Sequence, residues 1–454
     1  ASNYFLKNSP LVEFLIGDND QHGKNYSNHI KKVCDYAKIP FRKSNSKQWN
    51  NSGFKIATST RVICINNTKS LNDNAIKELL NFISRGGTLF LSSIVEDDRL
   101  KYLYGLQLNK VHEVDYNASG FKFISAMLPN HKGKTNNINY NHQGLKATSF
   151  NNTVKPLIVA ANDDKYPVVM ENYIGEGKVV FLNSTMMIDK NMRGLVYSIL
   201  LSGLEGVPYP IANVSTIYLD DFPSPVYNIM KEPIASEMGI SMSEFVDKVW
   251  WPDMLKLSKE FDINYTTGIT FDYSTNITPP FIFSEWDRNI KESTNVSLSN
   301  WLTNSTLKNN HELGFHGYNH VSLQKSDWKN TAHITTALKT VIKKWKVDDY
   351  GTLPVTYIPP SNMIDSIGLV KLKQGMPSIK YMSSSYFGVV HEGEGREFDI
   401  DPYNKKLFDY PRVTFEYLLD NQKQFTKESL YLFTGIWTHF VHPDDVFQIK
   451  DASN

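Results

Sequence analysis

The sequence predicts an α/β protein in two parts: a parallel sheet with helices on both faces over residues 1–208, then an incomplete (β/α) barrel over residues 209–454. Three observations predict it. Strand-like and helix-like stretches alternate along most of the chain. A stretch rich in proline and glycine, Gly206-Val207-Pro208-Tyr209-Pro210, divides them. In the second part carboxylates and histidines recur just after strand-like runs, at the end of a parallel sheet where such folds carry chemistry. A chain of 454 residues exceeds one ordinary core, so two or three domains are expected.

The first part begins with an apolar strand, Leu11 to Ile16, ending at Gly17-Asp18. Asn28 to Ala37 places Ile30, Val33 and Tyr36 at helical spacing. A mostly β-branched strand, Arg61 to Ile65, follows. Asn72 then caps a helix whose stripe of Ile76, Leu79, Leu80 and Ile83 stops at Gly86-Gly87, directly before the strand Thr88 to Leu91. Residues 167–182 read as a hairpin around Gly175-Glu176, and a helix from about Asn191 to Leu204 closes the part.

Beyond the linker the pattern predicts strands at 215–219, 264–271, 312–315, 355–358, 379–383 and 430–438. Helices are predicted at about 243–260, before His311, at 329–345 and at 364–373. No internal repeat or low-complexity segment interrupts them.

Lys and Arg number 48 against 47 Asp and Glu, a net charge of +1, which argues against nucleic acid or an anionic membrane as the partner of the whole chain. No apolar run is long enough to span a bilayer. The chain opens on Ala1 rather than Met, which fits a removed signal or lipoprotein leader and an extracytoplasmic location. The two cysteines, Cys34 and Cys64, sit in apolar company in a helix and a strand, as small buried hydrophobes do. Neither has the strand-to-helix elbow of a catalytic nucleophile.

Chemistry concentrates in three stretches. His311-Glu312-Leu313-Gly314-Phe315-His316-Gly317-Tyr318-Asn319-His320 ends in two histidines four apart, which on one helical turn converge on one metal ion. Chance gives about 0.3 such pairs in a chain of this histidine content, so the pair alone is weak. Ser215 to Pro223 reads as a strand ending in Asp220-Asp221. Adjacent strand carboxylates point to opposite faces, so a bend is needed for both to reach one site. Leu430 to Asp445 again sets histidine at a strand end, with His442 favoured over His439 and with Asp444 or Asp445 beside it.

The Asp-Asp strand end followed by the His-Glu-Leu-Gly-Phe-His-x-x-x-His run and the late histidine resembles the polysaccharide deacetylase (NodB-homology) family of carbohydrate esterases. The two-part layout resembles members of that family that act on extracellular amino-sugar polymers. The alternation in residues 10 to 206 resembles glutamine-amidotransferase-like, flavodoxin-like domains. By the family's pattern Asp221, His316 and His320 hold Zn²⁺ or another divalent metal, Asp220 is the base and His442 the acid. The resemblance thus implies N-deacetylation of N-acetylhexosamine residues in a polysaccharide. Its alternatives are a carbohydrate-binding or scaffold protein on an inactive deacetylase fold, and a hydrolase of another amide or acyl substrate.

Two departures stand out. The family's arginine turn corresponds to Tyr357-Ile358-Pro359-Pro360-Ser361-Asn362, which has no arginine, so Arg412 is the candidate to hold Asp220. Gly317 stands where the family usually has Ser or Thr. Trp437, just ahead of the late histidine, is either a core residue or a platform for a sugar ring.

Overall fold

The computed structural model describes residues 11–94, 97–107, 112–204, 212–388 and 395–447. The expected linker at Gly206 to Pro210 lies outside the described residues. The chain forms two compact units, residues 1–214 with 420–436 and residues 215–419 with 437–454. Each is mixed α/β, built among the described residues on one curled nine-stranded sheet.

The first unit contains β1 (Leu11–Ile16), β2 (Phe41–Asn45), β3 (Thr60–Ile65), β4 (Thr88–Leu91), β5 (Ser119–Phe123), β6 (Thr135–Asn141), β7 (Lys155–Val159), β8 (Pro167–Ile174) and β9 (Gly177–Leu182). Their spatial order is β2-β1-β3-β4-β9-β8-β7-β5-β6. Pairing is parallel from β2 through β9 and antiparallel beyond. The helix Gln21–Ala37 starts where the Asp20 carboxylate accepts the Gly23 N–H at 2.8 Å. Asn72 caps the helix Asp73–Ser84 through the Ala75 N–H at 2.9 Å. Leu79 and Ile83 of that helix pack with Ile63, Leu89 and Phe181 of the sheet. Each such buried side chain contributes about 1.5–3 kcal/mol. Cys34 and Cys64 are free and buried, and burial pushes the Cys34 thiol up to about 12.

The second unit contains β10 (Val214–Leu219), β11 (Tyr265–Ile269), β12 (Glu312–Phe315), β13 (Thr356–Tyr357), β14 (Tyr381–Met382), β15 (Asp399–Ile400), β16 (Phe408–Asp409), β17 (Thr414–Phe415) and β18 (Ile436–Val441). Their order is β15-β16-β14-β13-β12-β11-β10-β18-β17, with β15 antiparallel to β16. The stretch 408–415 serves both edges. Phe408 pairs with Tyr381 on β14, Arg412 bridges Ser385, and Thr414 pairs with His439 on β18, so the parallel sheet curls upon itself. Several polar side chains pair across its strands: Glu312 accepts from Thr266 and Thr356 Oγ1, both at 2.7 Å, and Ser383 donates to the Tyr218 hydroxyl at 2.9 Å. Among the described residues no helix is long and apolar enough to cross a membrane.

Two sequence expectations are corrected. Residues 430–438 are not one strand: the helix Asn421–Thr434 ends at Gly435, in the left-handed conformation (φ 69°), and β18 follows. A short apolar run such as Leu430 to Phe433 carries no period that separates a strand from a buried helix turn. His316 and His320 do not share a helical turn. His316 directly follows β12, and the chain turns through Gly317 to His320 without helical hydrogen bonds.

The helix Arg193–Leu201 approaches the helix Asn421–Thr434 closely at Gly194. Its N–H donates to Ser429 Oγ at 3.2 Å, and an added Cβ would stand 2.0 Å from the Ser429 carbonyl oxygen. Gly194→Ala in an open helix would gain about 1 kcal/mol from propensity. Here it is expected to lose about 1–3 kcal/mol by overpacking, read in urea unfolding. A variant as stable as the native chain would contradict this contact.

Candidate metal centre and acid–base pair

The parallel register of the second unit brings four strand ends to one edge. Asp220 is the residue after β10, His316 the residue after β12, Ile358 the residue after β13 and His442 the residue after β18. Backbone bonds continue the ladder past these ends: Asp220 N–H to the Val441 carbonyl at 3.0 Å, His316 N–H to Ile269 at 2.9 Å and Ile358 N–H to Phe315 at 2.8 Å. Residues far apart in sequence therefore meet without any of their loops needing to be long.

Asp221, His316 and His320 offer ligand atoms that all lie within 4.8 Å of one another. His316 Nε2 and His320 Nε2 each stand 3.6 Å from Asp221 Oδ1. The backbone achieves this through left-handed conformations at Asp221 and His320, both with φ 53°, which carry Asp221 round to join the histidines while Asp220 stays on the strand. His316 Nδ1 donates to the Ile358 carbonyl at 2.8 Å when Nε2 carries the lone pair, which leaves Nε2 for a metal. Burial holds the His316 imidazole down at about 4, in the neutral form a metal requires. Burial also works to raise the Asp221 carboxyl, but His320, His316 and His442 outweigh it and lower the group. Asp221 Oδ1 is buried without a hydrogen-bond partner, as an oxygen reserved for a cation would be.

Asp220 is gripped by Arg412 Nη1 at its Oδ2, and both residues are 2% exposed. The other end of the guanidinium, Nη2, donates to Asn362 Oδ1. Its face lies over the Phe440 ring, 4.0 Å from the centroid. Asn362 belongs to the turn that lacks an arginine; this turn instead positions one from elsewhere in the chain. His442 Nε2 faces Asp220 Oδ2 at 3.9 Å, and Nδ1 faces Asp445 Oδ1 at 3.2 Å. Asp445 Oδ2 also accepts the His442 backbone N–H at 3.0 Å, so Asp445 orients this ring. Burial opposes protonation of His442, but the Asp445 hydrogen bond and the charges of Asp220 and Asp221 raise it to about 9.

His439 lies elsewhere, with Nδ1 2.9 Å from Thr414 Oγ1. Trp437 donates to the same Thr414 hydroxyl at 2.8 Å and packs beside the His439 ring. Tyr273 was not evident from the sequence. Its ring packs against His320, with centroids 5.6 Å apart, and burial together with the nearby Asp221 carboxylate raises its phenol. Four residues beyond β11, its place after a strand end is the signal that could have found it.

The family of uncharacterised proteins conserved in bacteria (DUF2194) matches residues 7–454, and the chain belongs to it. No protein with a curated description matches the chain. Among solved structures, a beta-galactosidase from Bacillus circulans sp. alkalophilus is 13% identical at TM-score 0.30, over 43% of this chain and 31% of its own. An exo-beta-1,4-mannosidase from an Opitutaceae bacterium is 14% identical at TM-score 0.30, over 46% and 38%. A ThuA-like protein from Bacteroides uniformis is 13% identical at TM-score 0.29, over 43% and 90%. The chain thus spans about a third of the length of the glycosidases it matches.

These findings overturn the expected membership of the polysaccharide deacetylase family with its amidotransferase-like partner domain. The family match covers nearly the whole chain and is to DUF2194, not to the polysaccharide deacetylases. With that membership fall polysaccharide N-deacetylation, its class as an amide hydrolase, and the binding, scaffold and acyl-substrate alternatives drawn from it. The physical reason is that a few ligand residues at strand ends report a local arrangement open to many folds, not a substrate.

Two outcomes test the geometry. Arg412→Met leaves the Asp220 carboxylate buried and unpaired, and is expected to lower unfolding free energy by about 3–5 kcal/mol. Equal stability in denaturant would sink the ion pair's role. Gly317 has φ 111°, so Gly317→Ser strains the turn between the two histidines by about 1–3 kcal/mol. Its divalent-metal affinity, measured by competition with a chromogenic chelator, is expected to fall about tenfold; an unchanged affinity would show that the turn does not set the ligand geometry.

Proposed function

We propose that Asp221, His316 and His320 hold a divalent transition-metal ion, and that Asp220 and His442 beside it form a base and an acid for hydrolysis. The observation that carries this reading is the convergence of the three ligand atoms within 4.8 Å, with the other His316 nitrogen already committed to a backbone carbonyl. Two imidazoles and a carboxylate suit Zn²⁺ and its divalent neighbours. A bound ion of this kind supplies Lewis-acid polarisation and makes water a nucleophile near neutral pH.

The chain's own groups do the rest. Asp220 Oδ1 is buried with no hydrogen-bond partner, leaving one oxygen to take a proton from water while Arg412 holds the other. His442, kept protonated by its carboxylate neighbours, presents Nε2–H to a leaving group. The curled parallel sheet supports a (β/α)-barrel reading of the second unit, and the order β2-β1-β3-β4 supports a flavodoxin-like reading of the first.

The test begins with metal content by elemental analysis after dialysis against Zn²⁺ or Co²⁺. One ion per chain is expected, and less than a tenth of that in His316→Ala. A metal-free native protein would overturn the reading. With metal loaded, nitrophenyl glycosides and nitrophenyl phosphate esters are the first substrates to screen. Asp220→Asn is expected to keep the metal and lower kcat about 10²–10⁴-fold. Metal binding with undiminished turnover in that variant would remove Asp220 as the base.

A further inference from the structure

The near-zero charge of the chain conceals two opposite charges. The first unit has 27 Lys and Arg against 19 Asp and Glu, a net +8, and the second has 21 against 28, a net −7. Part of the positive excess lines a cleft of about 540 Å³ in the first unit, between the stretch 55–61, which runs into the start of β3, and the C-terminal end of the helix Asp73–Ser84. Lys55, Arg61 and Arg85 border it. A second cleft of about 470 Å³ shares Lys55 and adds Arg42 and Lys43. Both volumes lie in the range of small-molecule sites.

The acids in these clefts are already engaged. Glu13 accepts from Arg42 and from Trp49 Nε1, the latter at 3.2 Å. Glu78 pairs with Lys55 at 2.9 Å and accepts the Ile56 N–H at 3.3 Å. Arg61 spends only Nη1, on the Thr58 and Thr60 carbonyls at 2.7 and 3.2 Å. Arg85 spends Nε on the Asn81 carbonyl at 3.0 Å. Among the described residues neither guanidinium makes an ion pair within 4.0 Å, and although the Arg85 charge helps lower the Glu78 carboxyl, each keeps N–H donors for a ligand. Thr60, 3% exposed, also lines the cleft with a hydroxyl that has no partner.

We propose that this cleft binds a phosphate-bearing ligand with two or more negative charges. Two planar guanidiniums and an ammonium around one hollow can engage several phosphoryl oxygens at once, whereas a single carboxylate would meet only one fork. The ligand is either a small diphosphate-type molecule or a phosphate polymer, and the chemistry recognised is the same. This site is independent of the metal centre.

The experiment is calorimetric titration of the full chain with pyrophosphate and with long-chain polyphosphate at low and high salt. Arg61→Ala/Arg85→Ala is compared with a control, Lys132→Ala/Lys165→Ala, which removes two exposed charges elsewhere in the same unit. Saturable binding is expected, weakened at least tenfold in the arginine pair and less than twofold in the control, and weaker at high salt. Pyrophosphate binding points to a small ligand; a polyphosphate affinity more than tenfold higher points to a polymer. No binding of either, or equal weakening in both variants, overturns the proposal. Both variants change exposed residues, and circular dichroism confirms their fold before titration.

Discussion

The buried ion pair between Asp220 and Arg412 ties together the parts of the second unit that the site requires. Asp220 directly follows β10, the first strand of the curled sheet, and Arg412 lies on the stretch 408–415 that joins its two edges. A charge with so little exposure is tolerated only when paired, so the strand end and the closing stretch constrain each other's position. Asn362 and the Phe440 ring then fix the guanidinium in the one orientation that leaves Asp220 Oδ1 open.

Around that pair the backbone takes conformations that side chains usually avoid. Asp221, His320, Ser361 and Asn362 all have φ between 53° and 59°; the first two bring their side chains together at the site, and Asn362 accepts from the arginine that serves it. Such geometry persists where surrounding structure over-determines it. Here the parallel ladder continues one residue past β10, β12 and β13, so past β10 it is the following residue, Asp221, that turns sharply to present its side chain.

Much of the fold was legible in the sequence. The strands Leu11–Ile16, Thr88–Leu91 and Glu312–Phe315 and the helix Asp73–Ser84 follow directly from apolar runs bounded by glycine, proline or a capping Asn. Strands such as Thr135–Asn141, polar on alternate positions and rich in Asn, were not legible, because their partners rather than their own composition make them strands. The helix Asn421–Thr434 was misread for a related reason. It packs in the first unit although its neighbours in sequence belong to the second, and no local pattern reports that exchange.

By itself the sequence determined an α/β architecture and the residue types gathered at strand ends, because periodicity and strand-ending prolines act locally. Arg412 it named only through the family resemblance, as the candidate to replace the arginine that the 357–362 turn lacks. The tertiary structure alone decided that the two histidines meet Asp221 through left-handed turns rather than on a helix, and that Asp445 orients His442. It also decided that a turn without an arginine holds Arg412 in place. These depend on which strands lie side by side and in what register, and register is set by pairing across the sheet, which no single segment encodes.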